Sequence, residues 1–194
     1  MLQREVLDPY EYIELWLADA GLNGSAQYRQ RYAEWLDYFE GCGIRRIGMG
    51  WLALRAAGRE HPQVRIEDWP HAVHQPVGPA IADEFAAVEA SRLSDADLLS
   101  RRWRLHSGVV QETIGVPGAG DPQHLVLRQQ YGLGRALEPG TALAAVVGAC
   151  DGELPLSVLI KAVAALLQVE EIPLQAQTLS QVRRLIADGY LYAA

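Results

Sequence analysis

Hydrophobic positions along this chain recur first at helical and then at extended spacing. Between Pro9 and Ala20, Tyr12, Ile13, Trp16 and Leu17 fall three and four residues apart, the period of one helical face. Asp8-Pro9 suits the opening of that helix and Gly21 its close. The short apolar run Leu2 to Val6 before it reads as a strand. A second helix is predicted from Ser25, with Tyr28, Tyr32, Trp35, Leu36 and Phe39 on one stripe, and an aromatic stripe at that spacing reads as core packing. After Gly41-Cys42-Gly43 the period shortens. Ile44 to Leu54 and Val64 to Trp69 read as two strands joined through Arg55 to Pro62, an antiparallel hairpin.

The segment PHAVHQPVGP, residues 70–79, interrupts the periodicity with prolines and reads as a linker. Beyond it Ile81, Phe85 and Val88 mark an amphipathic helix over Ala80 to Ser91, and Leu93 to Asp97 starts a short one. Arg102 to Gly115 and His124 to Leu137 alternate apolar and polar residues around VPGAGDP, predicting two long antiparallel strands with a turn between them. Over residues 141–194 the pattern returns to helix. Thr141 is expected to cap a helix ending at Gly148, Asp151-Gly152 to form a turn, and Pro155 to Leu167 and Leu179 to Asp188 to form two more helices. Gly189 closes the last, and Tyr190-Leu191 starts a strand. Three short helices with a terminal strand resemble a winged-helix core. The fold class expected is therefore α+β. Residues 1–70 form one region, 71–79 a linker, and 80–194 an accessory domain with its own small β-sheet and a winged-helix-like end at 141–194.

The 194 residues are 49% hydrophobic and 21% charged, an ordinary globular balance. The net charge of −7 is spread along the chain: acids outnumber bases 11 to 8 in residues 1–70, 8 to 6 in 71–140 and 5 to 3 in 141–194. Nucleic-acid affinity rests largely on Lys and Arg neutralising phosphates, so no stretch has the charge of a phosphate-binding module. The last predicted helix does offer Gln177, Gln181, Arg183 and Arg184 as groove contacts, with Lys161 the only lysine in the chain. No apolar run approaches the roughly 20 residues that cross a bilayer, and no export-type leader opens the sequence, so a cytoplasmic location is expected. Cys42 and Cys150 lack any CxxC spacing and read as buried thiols.

Several longer strings carry a resemblance. REVLDPYEYIELWLADAG, YAEWLDYFEGCGIRRIGMGWLALR and VRIEDWPH resemble the last third of the catalytic domain in a family of actinobacterial class I S-adenosylmethionine-dependent methyltransferases. QETIGVPGAGDPQHLVLRQ and GACDGELPLSVLIKAVAALL resemble the C-terminal domain that follows it. The resemblance implies that residues 1–70 are the truncated end of an α/β methyltransferase sheet, in which a fifth strand and a helix lead to an antiparallel sixth and seventh strand. It also implies a transferase parent, with an N-methyl acceptor suggested by the Asn-Pro-Pro-aromatic motif of such relatives. That motif, the Gly-rich cofactor loop and the acidic ribose ligand do not occur in this sequence. The resemblance therefore implies S-adenosylmethionine for a longer parent and no cofactor-binding, catalytic or metal-binding residue in this chain, so that whether the chain is itself an enzyme stays open. GMG at Gly48 to Gly50 and GVPGAG at Gly115 to Gly120 fall on a strand and in a turn, and neither opens a helix as a phosphate-binding loop must.

Three clusters bear on chemistry. EDWPHAVH places Glu67 and Asp68 near His71 and His74, a spacing compatible with metal ligation but lying beside prolines and off any clear helix. Trp69, His71 and His74 are the candidates for a surface that faces substrate or a neighbouring domain, because they follow the last methyltransferase-like strand. Glu112 and Asp121 could form a carboxylate pair, although nothing in the spacing makes them converge. The partners expected are the missing N-terminal methyltransferase segment and a second copy of the chain in a homodimer, with no membrane. The competing reading is a stand-alone winged-helix module that binds protein or nucleic acid.

Overall fold

The first strand and the strand that follows two helices pair directly, and this pairing organises the first of two units, Met1–His71 and Ala72–Ala194. The computed structural model describes residues 1–117 and 122–194. In the first unit β1 (Leu2–Leu7) leads to α1 (Pro9–Asp19), α2 (Ala26–Gly41), β2 (Ile47–Trp51) and β3 (Glu67–Asp68). Asp8 and Glu11 form a reciprocal capping box at the start of α1, the Asp8 carboxylate accepting from the Glu11 N–H at 2.8 Å and the Asp8 N–H donating to the Glu11 carboxylate at 3.0 Å. Ser25 caps α2 by accepting from the Tyr28 N–H at 3.1 Å.

The sheet order is β2-β1-β3, with β2 antiparallel and β3 parallel to β1. The expected hairpin of residues 44–54 with 64–69 is thus corrected. Both strands are shorter than predicted, and β1 lies between them, so each bonds to β1 and not to the other. Periodicity marks a strand but carries no record of its partner, and here the partner lies 40 or more residues earlier. Gly50 is the close-contact point: a Cβ there would stand 2.0 Å from the Leu2 carbonyl oxygen. Burial in this unit is slight, limited among hydrophobic residues to Leu2, Ile13 and Leu17. The aromatic stripe of α2 departs from the expected core packing. Tyr28, Tyr32, Trp35, Leu36 and Phe39 are all half-buried, with Tyr12 of α1 against Trp35 and Phe39 at ring-centroid distances of 6.2 and 5.8 Å.

The second unit holds α3 (Val77–Ala90), α4 (Asp95–Ser100), β4 (Arg102–Leu105), β5 (Val109–Ile114), β6 (His124–Gln129), β7 (Ala136–Leu137), α5 (Thr141–Gly148), β8 (Asp151–Pro155), α6 (Leu156–Leu167), α7 (Glu171–Ala187) and β9 (Leu191–Ala193). α3 starts three residues inside the predicted 71–79 linker. The antiparallel pairing of β5 with β6 agrees with the expected hairpin; residues 118–121 of its VPGAGDP turn, and with them Asp121, lie outside the described residues. The predicted long strands are each divided. Residues 106–108 turn the chain between β4 and β5, and β4 joins a separate sheet of order β8-β4-β9, antiparallel to both neighbours.

Three further expectations at the C-terminus are corrected. Gly140, not Thr141, is the N-cap of α5. Asp151-Gly152 begins strand β8 where a turn was expected, because β8 is drawn into the ladder with β4. The last helix starts at Glu171, eight residues before Leu179, since Pro173 falls in the first turn, where its missing N–H leaves no bond unmade.

α6 buries Leu156, Leu159, Ile160, Val163 and Ala164, a continuous i, i+3, i+4, i+7, i+8 face. These pack with Leu98, Trp103, Val146, Val182, Ile186 and Leu191 into one core, each large aliphatic side chain contributing about 1.5–3 kcal/mol. Trp103 is fully enclosed and donates its indole N–H to the Leu98 carbonyl at 3.1 Å, which satisfies its one polar atom. No helix among the described residues is long and apolar enough to cross a membrane.

Candidate functional site

The turn at His106–Gly108 is where the two sheets of the second unit diverge, and the divergence opens a cleft of about 720 Å³. α3 forms one wall. The turn itself, the Tyr131–Arg135 segment between β6 and β7, and the end of α7 with β9 form the rest. Backbone and side-chain bonds tie these pieces together. The Tyr131 hydroxyl donates to the Gly189 carbonyl at 2.6 Å, the Gln129 side-chain amide donates to the Asp188 carbonyl at 2.7 Å, and the His106 N–H donates to the Tyr190 carbonyl at 2.9 Å. Gly132 has φ +54°, and a Cβ there would meet the Ala80 Cβ at 2.7 Å, so this glycine lets α3 approach the segment closely.

Inside the cleft the His106 imidazole stacks on the Tyr131 ring with centroids 3.8 Å apart, and Tyr192 meets the imidazole edge-on at 6.2 Å. The Gly108 N–H donates to His106 Nδ1 at 3.0 Å, which makes Nδ1 an acceptor and leaves Nε2 to carry the proton of the neutral ring. Arg135 is buried and pairs with Glu84 at 2.9 Å. Burial, then the neighbouring Tyr190 phenol, raises the Tyr131 hydroxyl far above its ordinary value, so that it stays a donor. Burial and the Asp188 carboxylate push Tyr190 up to about 12. The site thus combines aromatic faces, a neutralised arginine and the carboxylates Asp83 and Asp188.

The residues singled out from the sequence fall elsewhere. Trp69 and His71 close the first unit with their rings edge-on at 5.3 Å. A bulge organises them: Gln3 pairs with Gly50 and Glu5 with Met49, which leaves Arg4 without a ladder partner. Its guanidinium lies 5.3 Å from the Trp51 ring centroid and donates to the carbonyls of Trp69, at 2.6 Å, and His71. His74 belongs to the second unit, where its N–H donates to the Gly132 carbonyl at 2.7 Å and its ring sits beside Gly134, next to the cleft segment and not within the cleft. Glu67 pairs with Arg65 at 2.6 Å, and Asp68 accepts from the Gln3 amide at 2.6 Å. Among the described residues no three metal-ligating side chains converge.

Two other expectations change. Cys42 is exposed, and only Cys150 is a buried thiol, donating to the Val146 carbonyl at 3.2 Å and pushed up to about 12 by burial and Asp151. Of the groove-contact residues on α7, Arg183 is consumed within the unit by the carbonyls of Ser91 and Leu93, both at 2.6 Å, and by Asp95 at 2.5 Å. Glu112 forms a bidentate pair with Arg128 across β5 and β6 at 2.7 and 3.1 Å, which draws its carboxyl below the ordinary range.

His106, Tyr131, Arg135, Glu84 and Asp83 were not singled out from the sequence. The one local signal was YGLG, where two glycines flank a single residue; both adopt left-handed φ. No protein-family model matches this chain, and no curated protein matches it.

Proposed function

We propose that this chain is the non-catalytic C-terminal segment of a class I S-adenosylmethionine-dependent methyltransferase, its first unit completing the catalytic sheet and its second recognising the methyl acceptor or making dimer contacts. The observation that carries this reading is the direct antiparallel pairing of β1 with β2 across an intervening helix pair. A class I sheet ends in an antiparallel pair of strands, and the pairing alone, not the two helices between β1 and β2, carries the likeness. In this reading β1 and β2 are the sixth and seventh strands, in place of the expected assignment of residues 2–6 to the fifth strand and of 44–54 and 64–69 to the sixth and seventh; β3 is an addition beyond them, and the open side of β2 is where the preceding strands pair. The slight burial of the first unit and the half-covered stripe on α2 fit a unit whose core is shared with more of the sheet.

The residues present do not fit the cofactor. Gly48 and Gly50 lie in strand β2, where Gly50 serves the close approach to β1, so they form no loop opening a helix around a nucleoside. No step of methyl transfer is assigned to this chain. An N-methyl acceptor remains the leading substrate class on the resemblance.

The order α5, β8, α6, α7, β9, with β4 inserted between the two strands, resembles a winged-helix core whose middle strand comes from earlier in the chain. That order favours a second reading, a protein-facing interaction module. The internal use of Arg183 and the acidic balance weigh against nucleic acid.

Calorimetric titration with S-adenosylmethionine, of this chain and of a longer one extended upstream through the preceding strands, tests the proposal. Binding by the longer chain alone is expected; tight binding by this chain, or none by either, overturns it.

A further inference from the structure

We propose that the cleft of the second unit binds an organic cation: an ammonium or guanidinium group carried on an apolar stem. The cleft's volume of about 720 Å³ lies in the range of small-molecule and peptide side-chain sites. Its charge is unbalanced in one direction. Arg135, the one guanidinium in the lining, is already paired with Glu84. The Asp188 carboxylate is ion-paired at 3.5 Å with Arg184, which lies outside the lining, and Asp188 makes further contacts in the chain, so the surplus rests on Asp83. Asp83 makes no hydrogen bond or ion pair among the described residues and stands at the α3 wall.

A second source of negative potential is independent of these side chains. α7 runs 17 residues and ends at the cleft, so the negative end of its dipole lies there, although the Asp188 and Gly189 carbonyls that follow it already accept from Gln129 and Tyr131. A third feature suits the stem. The stacked His106 and Tyr131 rings, with Tyr192 edge-on to the imidazole, line the cleft with aromatic surface, while Pro79 and Ala87 give an apolar wall. An anion would meet Asp83 and the α7 terminus without a free cation opposite it.

Two sources can supply this chemistry, a free amine or a basic residue within a peptide. The probes are agmatine, an acetylated Gly-Arg-Gly amide and its citrulline counterpart, titrated into the full 194-residue chain and followed by calorimetry and by NMR shifts of the Tyr131 and His106 rings. The tighter of agmatine and the arginine peptide identifies the source. The citrulline peptide is expected to bind at least about fivefold more weakly than the arginine peptide, and Asp83→Asn to weaken the cationic probes about fivefold, the loss of one partly solvated charge pair. Asp83 makes no hydrogen bond or ion pair among the described residues, and an unchanged thermal midpoint confirms that the variant folds. Equal binding of the citrulline peptide, an unaltered affinity in Asp83→Asn, or no ring shift with either cation at millimolar concentration overturns the proposal. It stands on the cleft alone, so its failure leaves the methyltransferase reading untouched.

Discussion

The imidazole of His106 lies nearly flat on the phenol ring of Tyr131, with 27° between their planes and 3.8 Å between their centroids. The phenol is fixed at its far end by the hydroxyl bond to the Gly189 carbonyl, so one side chain links the β4–β5 turn to the end of α7. Tyr131→Phe keeps the stack and removes the donor. It is expected to cost about 1–2 kcal/mol in denaturant unfolding, the penalty of a partly buried carbonyl left without its bond. An unchanged midpoint would show that water replaces the hydroxyl.

Two glycines in one strand should respond differently to the same substitution. Gly50→Ala drives a methyl group into the backbone of Leu2 and cannot be relieved by a rotamer change; a loss on the order of 3 kcal/mol is expected. In Gly48→Ala the nearest atom is the Gln3 side-chain oxygen at 2.6 Å, the end of a flexible chain that can move aside, and the cost should stay below about 1 kcal/mol. Amide exchange of β1 and β2 in both variants checks the contrast.

The two cysteines should titrate separately with a thiol reagent at pH 8. Cys42 is exposed and reacts in the folded protein; Cys150 is buried and held protonated, and reacts only after unfolding. Two fast-reacting thiols in the native state would contradict the burial of Cys150.

Alkaline pH should destabilise the second unit. Folding raises the Cys150 thiol from 9.0 to about 12 and the Tyr190 phenol from 10.0 to about 12. A group raised on folding contributes stability that is full below its unfolded value and is lost as pH climbs through the folded one. The thermal midpoint should therefore fall between pH 9 and 12, and Tyr190→Phe should flatten part of that fall.

Neighbouring arginines on α7 should separate structure from surface. Arg183→Ala removes charge-assisted bonds to two carbonyls and to Asp95 and is expected to cost about 2 kcal/mol. Arg184→Ala, at an 85% exposed side chain, should change stability by less than about 0.5 kcal/mol. Equal effects by thermal unfolding would argue against Arg183 as the tie between α7 and the α3–α4 corner.

What the sequence determined by itself is local. Asp8 at the start of α1, the helix that opens at Ser25, the helix at 155–167 and the β5–β6 hairpin follow from hydrogen-bond chemistry within a few residues and from a hydrophobic period fixed by backbone geometry. The tertiary structure decided which strands meet and where the cleft lies. Residues 102–115 alternate like one strand, yet the chain turns at His106 because β4 finds its partners in β8 and β9, some 50 to 90 residues later. The same holds for Glu84 and Arg135, 51 positions apart, and for Tyr131 and Gly189, 58 apart, whose contacts exist only once α3 and α7 have packed. Alternation specifies which side chains face a core, whereas the choice of partner depends on burying those faces together, and that free energy belongs to no single segment.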